Sequence, residues 1–296
     1  MPLPDFLCVG AAKAGTTTLH DILVQHPDIY LPSSKESLFF ASQEYFDKGL
    51  SWYEREIFGE YNNEQVIGEI SPSYFYFDHA PERIYRTLGG RTKLIFMFRN
   101  PVNRAFSHYL MAVRRTHETE SFEQAISIEE DRVRKGFFNA MRFSYIGSSL
   151  YAMHLKKYLR YFPKESMFFI LFEEDFLRRR EETIKKLQVF LGIKCIDLKI
   201  DIRSNIASYP KIKLINTILF SPNLLKQFTK ILMPSLHLRQ NIKYYIEKLN
   251  ARQYSSTKLS DNTRKFLLEK YFLKEIDELQ KLIERDLSIW TKDHGN

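Results

Sequence analysis

The sequence predicts an α/β fold of three layers, a central parallel sheet flanked by helices. Three observations carry this. Short apolar runs recur at 5–10, 66–70, 93–98 and 166–172, a length that fits buried strands better than helices. Helical patterns with apolar residues at three- and four-residue spacing alternate with those runs, as in parallel sheets covered on both faces. The segments carrying chemically distinctive residues follow the first three runs directly, and ligands of such sheets sit at the carboxyl ends of the strands.

In chain order, "DFLCVG" (5–10) is the first strand and "TTTLHDILVQHP" (16–27) the first helix, with Leu19, Ile22 and Leu23 on one side and a stop at Pro27. "VIGEI" (66–70) and "KLIFMF" (93–98) are the second and third strands, the latter followed by a helix from Pro101 to Val113. A helix over 148–162 precedes "SMFFILF" (166–172), the fourth strand, and another covers 181–191. The tail, 260–285, reads as one long amphipathic helix ending near Trp290. Residues 205–250 differ: between Asp201 and Glu247 there is no carboxylate, against seven basic residues, and "SPNLLKQFTKILMP" carries a Leu/Phe stripe behind Ser221 and Pro222. No repeat or linker divides the chain, so 1–296 is read as one domain, with 205–250 as a helical lid on the acceptor side. The competing reading, a helix lying on an anionic membrane surface, is less favoured because the helix core is short.

Bulk properties narrow the class. The 44% hydrophobic and 27% charged content is that of a globular protein. A net charge of +8 and a pI near 9.2 favour an anionic ligand. Cys8 sits in the first strand and Cys195 is far from it, which suggests neither a disulfide framework nor a metal cluster. The first strand starts almost at the N-terminus with no leader or long apolar span, so the expectation is a soluble protein of a reducing cytoplasm.

The first strand ends in "GAAKAGTTT" (10–18). Gly10 and Gly15 permit a tight turn that exposes amides, and the helix starting at Thr16 adds its unpaired N–H groups and the positive end of its dipole. Ala12, Lys13, Ala14 and Gly15 then form the loop, and Thr16, Thr17 and Thr18 add hydroxyl donors. The loop is P-loop-like, but Lys13 precedes Gly15, whereas in a Walker A loop lysine follows the second glycine. The alternative is a plain strand-to-helix turn with a solvated lysine. After the third strand comes "RNPVNRAFSHY" (99–109). Arg99 stands at the strand end, where a Walker B strand would place a metal-binding Asp, and Ser107 lies one to two turns into the next helix. The pair is suited to a second phosphate, held by a cation without a metal.

These two motifs, with "HPDIYLPSSKESLFF" (26–40), "GEISPSYF" (68–75), "SLYAMHLKKYLRYFP" (149–163) and "FLGI" (190–193), resemble the sulfotransferases that use 3′-phosphoadenylyl sulfate (PAPS), in particular the carbohydrate-type and bacterial branch. The resemblance implies that the first loop holds the 5′-phosphosulfate and that Arg99 and Ser107 hold the 3′-phosphate. It implies that Lys13 stabilises the leaving phosphate in a loose, in-line transfer, and that Glu36 occupies the position of a catalytic base. The product nucleotide would be PAP, and no metal would be needed. Glu36 could instead pair with Lys35 or solvent, and Glu69 is a second candidate that could equally fix a neighbouring loop. Ile70 stands where the heparan 3-O-type pattern has lysine, a departure on the acceptor side. Tyr151 and Tyr209 are candidates to flank the nucleotide, and Lys211, with Lys213, to close over it. His20 and His154, both within helices, read as packed residues rather than bases.

A small metabolite, natural product or saccharide is the expected acceptor. Two rivals remain, an atypical P-loop kinase and a non-catalytic anion or nucleic-acid binder. The first lacks the strand-end Asp. The second lacks a stacking platform or recognition motif, so no nucleic-acid partner is expected.

Overall fold

The structure is a computed structural model that describes residues 3–33, 36–202, 208–210, 242, 245–246, 249–253 and 258–292. Five strands, Phe6–Gly10 (β1), Ile29–Tyr30 (β2), Val66–Ile70 (β3), Lys93–Phe98 (β4) and Met167–Leu171 (β5), form one sheet in the order β2-β3-β1-β4-β5. All its pairings are parallel. The four expected strands are there. The edge strand β2 was not expected, because two residues carry no readable period.

Around the sheet lie α1 (Thr16–Leu23), α2 (Gln43–Phe46), α3 (Leu50–Phe58), α4 (Ala80–Leu88), α5 (Pro101–Arg114), α6 (Phe122–Ser127), α7 (Glu129–Val133), α8 (Phe137–Phe143), α9 (Tyr151–Tyr158), α10 (Arg180–Leu191), α11 (Asp261–Leu267) and α12 (Leu273–Ile283). β1 is central, with Leu7 opposite Glu69 of β3 on one side and Leu94 of β4 on the other. Its side chains alternate between two cores. Leu7 and Val9 join Phe96, Phe98, Tyr151 and Tyr158 on one face, while Phe6 and Cys8 join Leu19, Ile22, Met97 and Leu187 on the other. A parallel strand covered on both faces reads as an unbroken apolar run for this reason. Burial pushes the Cys8 thiol up to about 12, so it is a packed hydrophobe and not a reactive group.

α1 stops at Leu23 and not at Pro27, because Pro27 has no N–H to reach the Leu23 carbonyl, which instead accepts from the His26 amide at 3.0 Å. The tail is helical as expected, but α11 and α12 are joined by a π-helical turn, Leu268–Phe272. Past α12 the chain is tied back to the end of the sheet. Arg285 donates to Glu174 at 3.0 Å and to Asp175 at 2.9 Å. The Trp290 indole donates to Glu173 (3.1 Å), Glu173 accepts from the Asn100 amide (3.0 Å), and the Asn100 side chain donates to the Trp290 carbonyl (3.1 Å). Of the expected lid, β6 (Ser208–Pro210) pairs antiparallel with β7 (Ala251–Gln253). The helix expected at 221–233 lies outside the described residues. Among those residues no helix is long and apolar enough to cross a membrane.

Two expectations follow from this packing. A Cβ at Gly68 would stand 2.1 Å from the buried Phe6 ring across the β1–β3 pairing. Gly68→Ala therefore destabilises the fold by about 2–3 kcal/mol in urea unfolding. Adding Phe6→Leu should cost less than the sum of the single changes. The second concerns His154, buried in α9 with Nε2 donating to the Gly147 carbonyl at 2.9 Å. Burial lowers its pKa to about 4. The unfolded chain then binds a proton that the fold refuses, so this contribution to stability is complete above about pH 6.5 and is lost as pH falls toward about 4. Unfolding free energy should drop between about pH 7 and about pH 5 by up to roughly 1.4 kcal/mol per pH unit from this residue, and His154→Gln should flatten that drop.

Candidate active site

The site starts where β1 ends. Gly10 has φ 150°, and a Cβ there would stand 2.6 Å from Phe75 and 2.9 Å from the Pro72 carbonyl. The chain turns here because only glycine fits against the 72–75 loop. The Ala11 amide donates to the Met97 carbonyl (2.7 Å) and the Ala14 amide to the Ala11 carbonyl (3.2 Å), which knots the loop onto β4. Lys13 takes a left-handed conformation, φ 72°, and its ammonium group lies 3.7 Å from the Met111 sulfur on α5. Gly15, φ 102°, is the N-cap of α1, so no side chain caps the first turn, and the positive end of the helix dipole faces the loop. Thr16 and Thr18 are buried and Thr17 is half-buried.

Arg99 leaves β4 beside this loop. Its Nη1 donates to the Lys13 carbonyl at 3.2 Å, and its guanidinium lies 4.9 Å from the Phe172 ring centroid. The same ring faces Gly15, where a Cβ would approach it to 3.1 Å. Arg99 Nε is buried and has no hydrogen-bond partner among the described residues. Burial lowers its pKa, and nearby Glu173 works against that. Ser107 is half-buried in α5, two turns on. Tyr151, expected beside the nucleotide, is 2% exposed and packs 4.9 Å from the Phe98 ring. Its hydroxyl donates to the Arg99 carbonyl at 2.9 Å, so it acts on the site through the Arg99 backbone.

Across β1 lies an acidic group of a different kind. Glu69, at the end of β3, is 0% exposed. It accepts hydrogen bonds from the Ser37 hydroxyl (2.6 Å) and amide (3.3 Å), from the Tyr74 hydroxyl (2.9 Å), and from the hydroxyls of Tyr53 and Ser71. Burial, and then Glu69 itself, raise the pKa values of Tyr53 and Tyr74 far above the usual phenol range, so both remain donors. With every approach taken, Glu69 holds the 36–37 backbone in place. Glu36, next to Ser37, has φ 67° and is partly exposed.

The histidines lie elsewhere. His20 is buried with Nε2 3.3 Å from the Pro32 carbonyl, and His154 is buried as described above. β6 contains Tyr209, whereas Lys211 lies outside the described residues. Among the described residues no group of three or more His, Cys, Asp or Glu is placed to hold a metal.

Two contributors were not anticipated from sequence. Phe172 has no signal beyond its place at a strand end. Arg104 had one: in α5 it falls on the buried stripe with Pro101, Ala105, His108 and Ala112, and a cation on such a stripe is rarely idle. It is 0% exposed. Nε donates to the Ser149 hydroxyl (2.6 Å), Nη2 to the Tyr145 (2.5 Å) and Ser144 (3.4 Å) carbonyls, and Nη1 to the Ala12 carbonyl (3.5 Å).

Residues 3–215 match the family model described as "Sulfotransferase domain". Over 194 residues the chain is 34% identical to mouse heparan sulfate glucosamine 3-O-sulfotransferase 3B1, covering 66% of this chain and 47% of that protein. It is 34% identical over 192 residues to human heparan sulfate glucosamine 3-O-sulfotransferase 6, covering 64% of this chain and 53% of that one. The chain thus spans about half the length of the curated relatives it matches. A solved sulfotransferase structure from Alicyclobacillus acidocaldarius aligns with a TM-score of 0.70 at 28% identity, over 99% of this chain and 100% of that one. With its anion loop, its strand-end arginine and a family match over most of its length, the chain belongs to the sulfotransferase domain family.

Proposed function

We propose that this protein transfers a sulfuryl group from PAPS to a hydroxyl or amine of a saccharide or other small acceptor. The observation that carries the reading is the junction of two anion-binding elements at the carboxyl ends of β1 and β4, made by the hydrogen bond from Arg99 to the Lys13 carbonyl. The side chains there fit the donor. Arg99 is oriented by Phe172 and by its hydrogen bond, yet keeps a buried Nε without a partner among the described residues, as a phosphate ligand requires.

When bound, PAPS supplies the sulfuryl group and a phosphate leaving group. The 12–15 loop and Thr16, Thr17 and Thr18 would hold the phosphosulfate end, and Arg99 with Ser107 the 3′-phosphate. Lys13 would place its charge where negative charge grows on the departing oxygen. Glu36 would take the proton of the attacking acceptor, its backbone fixed by Glu69 through Ser37. Tyr151 would hold Arg99 from behind, and Tyr209 and Lys211 would close over the nucleotide. The saccharide acceptor is supported by the names of the curated relatives, which act on heparan sulfate glucosamine. Ile70 in place of lysine weakens the case for a heparan-like acceptor.

Incubation with PAPS and a panel of saccharide and metabolite acceptors, read by mass spectrometry, should show a mass gain of one sulfuryl group, in the presence of EDTA as well as without it. An inactive panel together with no PAP binding removes the reading. Lys13→Ala should lower turnover by about 10²–10³-fold with little change in PAP affinity. Arg99→Ala should weaken PAP binding by about ten- to a hundredfold. Equal losses of PAP affinity in the two variants would contradict this division of roles. Glu36→Gln should bind PAP as the wild type does and lose roughly 10²–10⁴-fold in transfer; near-full activity would move the base elsewhere.

A further inference from the structure

We propose that Arg104 is a positioning residue of the sulfotransferase reaction: from beneath the loop it fixes the peptide orientation that makes residues 12–15 an anion receptor, and it supplies a buried positive charge to the bound donor. The inference rests on the reading of the loop as the PAPS site.

The first support is geometric. Arg104 Nη1 donates to the Ala12 carbonyl and Arg99 Nη1 to the Lys13 carbonyl. Two arginines five positions apart in the chain thus hold two successive carbonyls. In a trans peptide the C=O and the N–H that follows it point in opposite directions. Drawing the Ala12 carbonyl toward Arg104 therefore fixes the Lys13 amide on the opposite edge of that peptide, away from Arg104. It also supports Lys13 at a φ of 72°, a conformation uncommon for a residue with a side chain.

The second support is electrostatic. A guanidinium at 0% exposure is costly unless its hydrogen bonds and its charge are both met. Among the described residues the hydrogen bonds are met by neutral oxygens: Ser149, Tyr145, Ser144 and Ala12. The nearby carboxylate Glu129 spends itself on the Ile146 and Gly147 amides at 2.8 Å each and raises the Arg104 pKa only from a distance, while burial lowers it. A neutral donor would serve as a strut at less cost. A cation with no carboxylate bonded to it among the described residues, below the loop read as the anion site, leaves its charge to be met by the ligand.

The test compares wild type, Arg104→Lys and Ser149→Ala by calorimetric PAP titration, thermal melting and steady-state kinetics. Lysine keeps the charge but cannot span Ser149 and Ala12 together. Ser149→Ala leaves the charge and removes the 2.6 Å anchor of the guanidinium. Both should raise Kd for PAP and KM for PAPS, by about tenfold for Arg104→Lys and about threefold for Ser149→Ala, with KM for the acceptor unchanged. Wild-type PAP affinity retained within about twofold in both variants, whether or not their melting points fall, would make Arg104 a structural strut and overturn the proposal. Should Arg104→Lys fail to fold, Ser149→Ala decides alone by the same criterion. Failure of the wild type to bind PAP overturns the underlying functional reading instead, so the two failures are distinguishable.

Discussion

A carboxylate with no access to water can persist in a fold only if its neighbours replace the water, and Glu69 sets that constraint on one half of the site. Four hydroxyls and one amide converge on it, from the loop after β3 (Ser71 and Tyr74), from α3 (Tyr53) and from the segment after β2 (Ser37). These are three separate stretches of chain. The charge therefore works as an organiser: removing any donor leaves part of it unsatisfied, at a cost of about 1–3 kcal/mol. The reward is a fixed path for residues 36–37, the stretch that carries the proposed base.

The other half of the site is built with the opposite sign. Lys13, Arg99 and Arg104 converge around the ends of β1 and β4, and the acidic residues near them are held back. Glu173 is committed to Asn100 and Trp290, and Glu129 to backbone amides. β1 separates an anion at its β3 side from cations at its β4 side. In the proposed reaction, nucleotide binding and proton abstraction would thereby be served by different neighbours of one strand.

Much of this was legible in the sequence. Both sheet faces are buried, so the strands appear as plain apolar runs, and the two glycines with Lys13 between them mark the loop. Arg99 was legible because a charge directly after an apolar strand must sit at its end. What was hidden depends on partners far away in the chain. Glu69 could be read either as chemistry or as structure until its five donors were seen together. For Tyr151, a sequence does not show that its hydroxyl meets the Arg99 carbonyl. β2 was missed for its shortness, and Gly68, unremarkable as a letter, makes room for Phe6. The π-helical turn between α11 and α12 leaves the amphipathic pattern nearly intact and so escapes any reading by period.

The match to the family model ends at residue 215, but the circuit of contacts around the site does not. Asn100, the residue after Arg99, is joined to Trp290 and Glu173 in a closed ring, and Arg285 clamps the two acidic residues that follow Glu173. Contacts that bear on the site therefore reach some seventy residues past the end of that match, by the span from 215 to Arg285. Drift in the tail is not neutral ground: Trp290 bonds the Asn100 side chain directly and shares Glu173 with the Asn100 amide, next to Arg99, while Arg285 holds the two acidic residues after Glu173. The part of the chain past 215 is therefore mechanically coupled to the strand end that carries Arg99, through Asn100 and the acidic residues 173–175.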